Sequence, residues 1–307
     1  MKVNKYLTLL VLFILICTQI LAAQTSKTYR INSTITVDGR ERTYLLNLPP
    51  NYYESAGFSL VIAMHGGGGS ANQFESTSML TEKANKSQFI VVYPDGIKGV
   101  GILGLQTWNA GGCCGYAMQR QIDDVNFIKQ LVNKLLSNYK INAKKVYATG
   151  HSNGGMMAYR LAAEIPDKIA AIATSSCSMM FKQPISLVRP VSILHMHSVL
   201  DTRVPYKGGK GTGISHAYFP PLDSVLNSWS LYNNCPATNK TLVDNNLYKL
   251  TKWTNCKNNT TIQYYLTYDG GHAWPGGLKG SPKGDTPSKS INANDLLWDF
   301  FQQHQLP

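Results

Sequence analysis

Ser152 sits in Gly150-His151-Ser152-Asn153-Gly154, between a β-rich run at Lys145–Thr149 and a helical pattern that continues through Met156, Met157, Tyr159 and Leu161. A sharp strand-to-helix turn forces its central residue into strained backbone angles, so glycines on both sides admit the turn and the serine hydroxyl is thrust outward. Such a serine can act as a nucleophile; the plainer alternative is a helix N-cap serine. A hydroxyl is a weak nucleophile at neutral pH. A histidine must take its proton and an acid must orient that histidine, in the chain order serine, acid, histidine for this kind of turn.

Of the 7 histidines, His216 and His272 lie well downstream in loop-like settings. His272 follows the last β-rich run, and the glycines and proline of Gly270-Gly271-His272-Ala273-Trp274-Pro275-Gly276 make a loop able to deliver an imidazole over a sheet, so it is the favoured base. His195 and His197 belong to a buried run and its end and read as satisfied core or supporting histidines, whereas His304 sits in a polar tail. Asp201, in Ser198-Val199-Leu200-Asp201-Thr202-Arg203, comes just beyond the run Val191–His195 and is the favoured acid. Its rivals fit less well: Asp223 falls in a Gly- and Pro-rich excursion, Asp244 in a polar loop, and Asp167 at the surface after a helix. His65-Gly66-Gly67-Gly68-Gly69 ends the run Ser59–Met64 and can lend the Gly67 amide to a tetrahedral oxyanion, with the Asn153 amide as the other donor. Such donors are worth roughly 3 kcal/mol of barrier each. A phosphate-cradling loop is disfavoured because no Lys-Ser/Thr follows the glycines. No motif calls for a metal or an organic cofactor, and no Cys-x-x-Cys with matching histidines is present.

The elements that must position these residues alternate. Thr28 to Thr36 and Arg42 to Leu48 flank Asp38-Gly39, which is a hairpin signal, and Pro49-Pro50 ends it. Apolar β-rich runs recur at Ser59–Met64, Phe89–Tyr93, Lys145–Thr149, Ile169–Thr174, Val191–His195 and Thr261–Leu266. Helical patterns fall at Asp123–Leu136, Gly154–Ala163 and Ala293–Phe301. This rhythm predicts an α/β fold, a mostly parallel central sheet with helices on both faces and an N-terminal antiparallel hairpin. No repeat or linker divides the chain. The segment from Tyr206 to Asn234 breaks the rhythm and is expected to pass over a binding site.

Composition bounds the partners. The 307 residues are 43% hydrophobic and 15% charged, against about 25% charged in an average soluble domain, which excludes a disordered or coiled-coil chain. The 29 Lys+Arg against 17 Asp+Glu give a net charge of +12 that is scattered, so no nucleic-acid face is indicated. Lys2 and Lys5, the apolar run Tyr6 to Ile16 and the small pair Ala22-Ala23 read as a signal peptide over residues 1–23, leaving a single domain over 24–307 with no membrane association after cleavage. An uncleaved anchor is the weaker reading, since a spanning helix needs about 20 apolar residues. Outside the cytoplasm some cysteines should pair. Cys235 and Cys256 can close one loop, Cys113 or Cys114 can reach Cys177, and the adjacent pair can bridge each other, with one cysteine left over.

Taken together, the motifs resemble the secreted family that joins feruloyl esterases to polyhydroxybutyrate depolymerases, within the α/β-hydrolase superfamily. The likeness is carried by His65-Gly66-Gly67-Gly68-Gly69-Ser70, Thr107-Trp108-Asn109-Ala110-Gly111-Gly112-Cys113-Cys114-Gly115, Asp123-Asp124-Val125, Gly150 to Gly155, Asp201-Thr202-Arg203-Val204-Pro205-Tyr206 and Gly271-His272-Ala273-Trp274-Pro275-Gly276. The resemblance implies Ser152 as nucleophile, His272 as general base and Asp201 as its orienting acid, matching the residue-level reading. It also adds the Trp108–Gly115 loop to the site wall, so an amide of Cys113 or Cys114 competes with Gly67 as second oxyanion donor. For Asp123-Asp124, acids at a positive helix N-terminus suffice as an explanation.

The chain departs from the family at His197-Ser198, where members often carry His-Gly, and it lacks the cysteines that tannase-like relatives place before the serine and the histidine. The expected function is a secreted serine carboxylic ester hydrolase working through an acyl-enzyme on a polymeric ester. Its expected reaction is release of ferulic or related hydroxycinnamic acids from plant cell-wall xylan, with Trp108 and Trp274 stacking on the aromatic acyl group or a sugar ring. The alternatives are a polyhydroxybutyrate or short-chain polyester depolymerase, an acetyl esterase, and a non-catalytic extracellular binding protein on the same scaffold. No attached polymer-binding module is expected.

Overall fold

A computed structural model describes residues 27–181, 189–213 and 215–307. The signal-peptide reading over 1–23 lies outside the described residues. The hairpin forms as β1 (Arg30–Val37) and β2 (Arg40–Asn47), turning at Asp38-Gly39 with both residues at positive φ. The chain continues through β3 (Phe58–Met64), α1 (Ala71–Ser78), α2 (Leu80–Ser87) and β4 (Ile90–Pro94) to the short strands β5 (Ile97–Lys98) and β6 (Gln106–Thr107). Next come α3 (Gly115–Gln119), α4 (Asp124–Asn138), β7 (Ile141–His151), α5 (Asn153–Glu164), β8 (Ala171–Ser175) and β9 (Ser192–Ser198). The remainder holds β10 (Gly209–Lys210), β11 (Tyr218–Phe219), α6 (Leu222–Tyr232), β12 (Lys240–Asp244), β13 (Tyr248–Trp253), β14 (Ile262–Thr267) and α7 (Ala293–Phe301).

A 10-stranded sheet runs in the order β1-β2-β4-β3-β7-β8-β9-β14-β13-β12. Its centre, from β4 to β14, is parallel, and an antiparallel pair closes each edge. The central strands read as unbroken apolar runs because both their faces are covered. In β3, Leu60, Ile62 and Met64 belong to a core cluster shared with residues of α4, α5 and α6, while Val61 and Ala63 belong to the one shared with residues of α1, α2 and α7. All five are fully buried. The parallel strands end their C-terminal edges at Met64, His151 and Ser198, which is where ligands bind in open α/β sheets.

The structure corrects several local expectations. The second antiparallel edge, β12–β13, goes beyond the predicted hairpin; Asp244 closes an edge strand where a polar loop was expected. The excursion from Tyr206 to Asn234 includes the 11-residue α6, whose Leu222, Val225, Leu226 and Trp229 enter the core. Cys235 pairs with Cys256, and Cys113 pairs with its neighbour Cys114. Of the two pairings the sequence left open for Cys113 and Cys114, the adjacent one forms, and Cys177 is a free buried thiol against Gly155, where a Cβ would come within 2.8 Å of its Sγ. Burial pushes that thiol up to about 12. The tail is docked too: His304 Nδ1 lies 3.2 Å from Ser192 Oγ, and its ring is edge-on to Phe300. Among the described residues no helix is long and apolar enough to cross a membrane.

Burial holds His65 and His304 neutral by lowering each to about 4. Between about pH 6.5 and pH 4 the unfolded chain takes up protons that these folded rings refuse, so stability is full above this window and falls as pH drops through it. The melting temperature should fall by about 5 °C or more from pH 7 to pH 4.5. In differential scanning fluorimetry, His304→Gln should reduce that slope.

Candidate active site

The turn from β7 into α5 sets the site. Ser152 has φ 54° and ψ −123°, a conformation that persists only where the surroundings over-determine it. They do so by contact: a Cβ on Gly154 would lie 2.2 Å from the Met64 carbonyl oxygen, and one on Gly150 would lie 2.4 Å from the Gly154 carbonyl carbon. Only glycines let β7, α5 and the end of β3 approach this closely, and the approach lifts Ser152 above the sheet edge.

His272 arrives on the loop after β14. Its Nδ1 is 2.8 Å from Asp201 Oδ2, and its Nε2 is 2.9 Å from Ser152 Oγ. A carboxylate only accepts, so Nδ1 carries the hydrogen, and Nε2 is left to accept from the serine hydroxyl. Asp201 sits on the turn after β9 with its side chain fully buried. Its Oδ1 accepts from the amides of Arg203 and Val204, both at 2.9 Å. Burial opposes the charge on Asp201, but the His272 ring and its hydrogen bond, His197 and the Val204 amide outweigh that and hold the carboxyl below its ordinary value. The structure thus brings together the serine, acid and histidine singled out from sequence. His216 is exposed and is not part of the group.

Behind Asp201 lies a chain of buried rings. His197 Nε2 donates to the Val204 carbonyl at 2.8 Å and lies 3.5 Å from Asp201 Oδ2, while His195 Nε2 is 3.1 Å from His197 Nδ1. Tyr159 and Thr174 hydroxyls reach His195 Nδ1 at 2.8 and 2.9 Å. Burial lowers both histidines, so the neutral tautomers are set along the whole chain. These rings make the wall against which the catalytic-acid candidate is fixed.

Gly67 and Asn153 both line the cavity beside Ser152, and among the described residues the amide of neither makes a backbone hydrogen bond in a turn, loop or cap. The Cys114 amide, which the family resemblance set beside Gly67 as a rival donor, is committed to the Trp108 carbonyl at 3.1 Å. Cys113 and Cys114 both line the cavity wall. Both tryptophans expected to stack on substrate are packed into the core, although Trp274 also lines a smaller cavity beside His272. Trp108 is fully buried, donates Nε1 to the His65 carbonyl at 3.0 Å and stacks on Phe127. Trp274 is 3% exposed, with its Nε1 on Asn294 Oδ1 and its ring edge-on to Phe74. Their size, read as a binding surface, serves the core.

Sequence reasoning missed how the loop from Trp108 to Gly115 is held. The Asn153 side chain clamps the Trp108 backbone both ways, Oδ1 accepting from its amide at 2.7 Å and Nδ2 donating to its carbonyl at 3.0 Å. Arg160 donates to the Asn109 carbonyl at 2.6 Å. Asp123 caps α4 as expected, but Asp124 does more than complement a helix end. Its side chain is fully buried, pairs with Arg42 at 2.8 Å and accepts from the Asn109 amide at 2.8 Å. The acidic pair in the motif was the available signal, and its adjacency to a helix start concealed it.

The loop walls a cavity of about 670 Å³ that reaches Ser152 and His272 and is lined by Leu103, Leu105, Tyr116, Met118, Met156 and Phe219. Ala217 and Phe219 come from the excursion, which therefore passes over the site. Among the described residues no group of three or more His, Cys, Asp or Glu side chains is placed to hold a metal ion.

The esterase family, described as "Putative esterase", matches residues 35–206, from the first hairpin through Asp201. The chain belongs to this esterase family. It is 28% identical over 276 residues to "Feruloyl esterase B" of Piromyces equi, covering 87% of this chain and 46% of that protein. It is 28% identical over 262 residues to "Bifunctional acetylxylan esterase/xylanase XynS20E" of Neocallimastix patriciarum, covering 84% of this chain and 32% of that protein. The chain thus spans less than half the length of both relatives. "Probable feruloyl esterase C" of Aspergillus niger is 24% identical over 277 residues, covering 88% of this chain and 86% of that one. Among solved structures, acetyl xylan esterase from Aspergillus awamori superposes with a TM-score of 0.61 at 16% identity over 88% of this chain and 99% of that chain, a likeness of fold. The esterase family and the parallel sheet with its N-terminal hairpin agree with the fold class read from sequence.

Asn153→Ala removes the clamp on Trp108 and leaves two buried backbone groups unpaired, which costs about 1–3 kcal/mol of stability. Steady-state kinetics should show kcat/KM for a 4-nitrophenyl ester falling about tenfold through loss of positioning. Unchanged kinetics would contradict the role of the clamp.

Proposed function

We propose that this chain is a secreted serine carboxylesterase, a single domain over 24–307 behind a signal peptide at 1–23, that releases ferulic or related hydroxycinnamic acids from plant cell-wall xylan. The single observation that carries the reading is the continuous path from Asp201 Oδ2 through His272 to Ser152 Oγ, at 2.8 and 2.9 Å, opening on an apolar cavity. In the proposed reaction Ser152 Oγ attacks the ester carbonyl carbon while His272 Nε2 takes its proton. Asp201 stabilises the imidazolium, and the amides of Gly67 and Asn153 receive the oxyanion. Collapse of the tetrahedral species breaks the acyl–oxygen bond, and His272 gives the proton to the departing alcohol. Water activated by the same nitrogen then frees the acid from Ser152.

The size and lining of the cavity favour an aromatic acyl group. About 670 Å³ walled by leucine, methionine, tyrosine and phenylalanine side chains exceeds what an acetyl group fills. The names of the relatives, feruloyl and acetylxylan esterases, point to the same class of polymer-linked esters. Secretion is supported by the leader pattern and by the Cys235–Cys256 disulfide.

The test is hydrolysis of methyl ferulate, 4-nitrophenyl acetate and emulsified polyhydroxybutyrate by wild type and Ser152→Ala. Ferulate release should fall by about 10⁴-fold or more in Ser152→Ala. Asp201→Asn, which offers His272 the wrong hydrogen-bonding partner, should lower kcat by about 10⁴-fold. Depolymerisation without ferulate release would move the assignment to polyester turnover, and equal inactivity of wild type and variant on all three would favour a binding protein.

A further inference from the structure

Part of the net positive charge gathers at one side of the site. Arg203 lines both the apolar cavity and a second one of about 310 Å³ that also reaches Ser152 and His272. Lys279 stands exposed between Leu278 and Gly280, and Lys283 stands exposed beside Gly284; these three flanking residues line the second cavity. The loop that carries both lysines is tied down at each of them. The Leu278 amide donates to the Thr77 carbonyl of α1 at 2.7 Å, and the Arg203 guanidinium donates to the Lys283 carbonyl at 3.4 Å. Lys210, exposed on β10, adjoins Gly211, which is pressed against the Arg203 carbonyl.

Acids do not offset these cations. Asp285 is the one carboxylate among the residues that line either cavity, and its Oδ2 already accepts from the His272 amide at 2.8 Å and lies 3.6 Å from Arg203 Nε. On α1, which backs the loop, Glu75 is paired with Arg30 at 2.7 Å. Asp201 is buried against His272. Among the described residues the lysines in ion pairs are Lys27, Lys83 and Lys249, none of them on this rim. A paired lysine must give up its partner to meet a new anion, and these need not. Three ammonium groups and a guanidinium around a concave mouth hold a positive potential there, which raises the encounter rate of anionic partners by about 10-fold or more at low salt.

We propose that this rim docks a polysaccharide bearing carboxylates, with uronate groups close to the esterified sugar, so that the chain selects acidic over neutral polymer. The inference rests on the esterase reading above and deepens it by naming the charge of the substrate. The ester itself is neutral and lies at Ser152; the carboxylates lie outside it, against Lys210, Lys279 and Lys283.

The sheet supplies a control of equal charge. Lys240 pairs in register with Lys252, Lys252 with Gln263, and Gln263 with Leu194 near the start of β9. Lys240, and Lys257 just before β14, are exposed at the edge of the sheet opposite Ser152.

The experiment measures ferulate release by the full chain from feruloylated glucuronoarabinoxylan and from the same polymer after its uronates are methyl-esterified. At low salt wild type should show a kcat/KM about fivefold or more higher on the acidic polymer. In about 0.3 M NaCl, where the screening length falls to about 6 Å, that preference should disappear. Lys279→Gln/Lys283→Gln should bring the ratio close to one with methyl ferulate turnover unchanged, whereas Lys240→Gln/Lys257→Gln should keep the wild-type ratio. Equal release from the two polymers by wild type, or the same loss in both double variants, overturns the inference. A chain that releases no ferulate from any substrate fails the esterase reading instead. Docking is then read by retardation in a native gel containing polygalacturonate, where wild type and Lys240→Gln/Lys257→Gln should be held back more than Lys279→Gln/Lys283→Gln, and equal mobility of all three contradicts it.

Discussion

The close approach of the β7–α5 turn to the end of β3 is the constraint on which the site depends. Two glycine positions, Gly150 and Gly154, hold backbone within distances that no side chain allows. That contact holds Ser152 at φ 54°. If α5 moved outward by a few tenths of an ångström, the Asn153 amide and the Ser152 hydroxyl would shift together, and the Trp108 loop would follow because Asn153 clamps its backbone. One steric condition therefore places the Ser152 hydroxyl, the Asn153 amide and one wall of the cavity.

Polar groups buried around this turn supply the rest of the rigidity. Asp201 is fixed by two amides on one oxygen and His272 on the other. Asp124 with Arg42 ties the loop at Asn109 to α4. A buried carboxylate is costly unless each oxygen is satisfied, so the same bonds that satisfy these acids also restrict the loops that supply the donors. The rings of His195 and His197 extend that network beneath the acid, with a fixed direction of hydrogen bonding from Tyr159 to Val204.

Much of this was legible in the sequence where local chemistry dictated it. Period-two and unbroken apolar runs placed the central strands to within a few residues, and α7 was read as Ala293–Phe301, where it lies. The hairpin followed from Asp38-Gly39. Ser152, Asp201 and His272 were singled out because nucleophilic turns impose glycines and a chain order, and the three lie within hydrogen-bond distance along one path. The properties that escaped were those set by distant partners. Trp108 and Trp274 read as binding surfaces because size says nothing about which face is covered, and both are core. Whether Cys113 and Cys114 bond each other or one of them bonds Cys177 was left open by the sequence, and the edge strands β12 and β13 escaped because their polar alternation resembles a loop. Asp124 looked like a helix-end acid because its partner, Arg42, lies on β2, far away in the chain.

The central claim is that Ser152 is the nucleophile activated by His272. The most direct measurement is intact-mass spectrometry of the wild-type chain after brief exposure to a serine-directed alkyl fluorophosphonate, followed by peptide mapping. A single phosphonyl adduct on the peptide containing Ser152, formed far more slowly in His272→Ala, is the predicted result. An unmodified wild type, an adduct on another residue, or equal labelling without His272 would contradict the account.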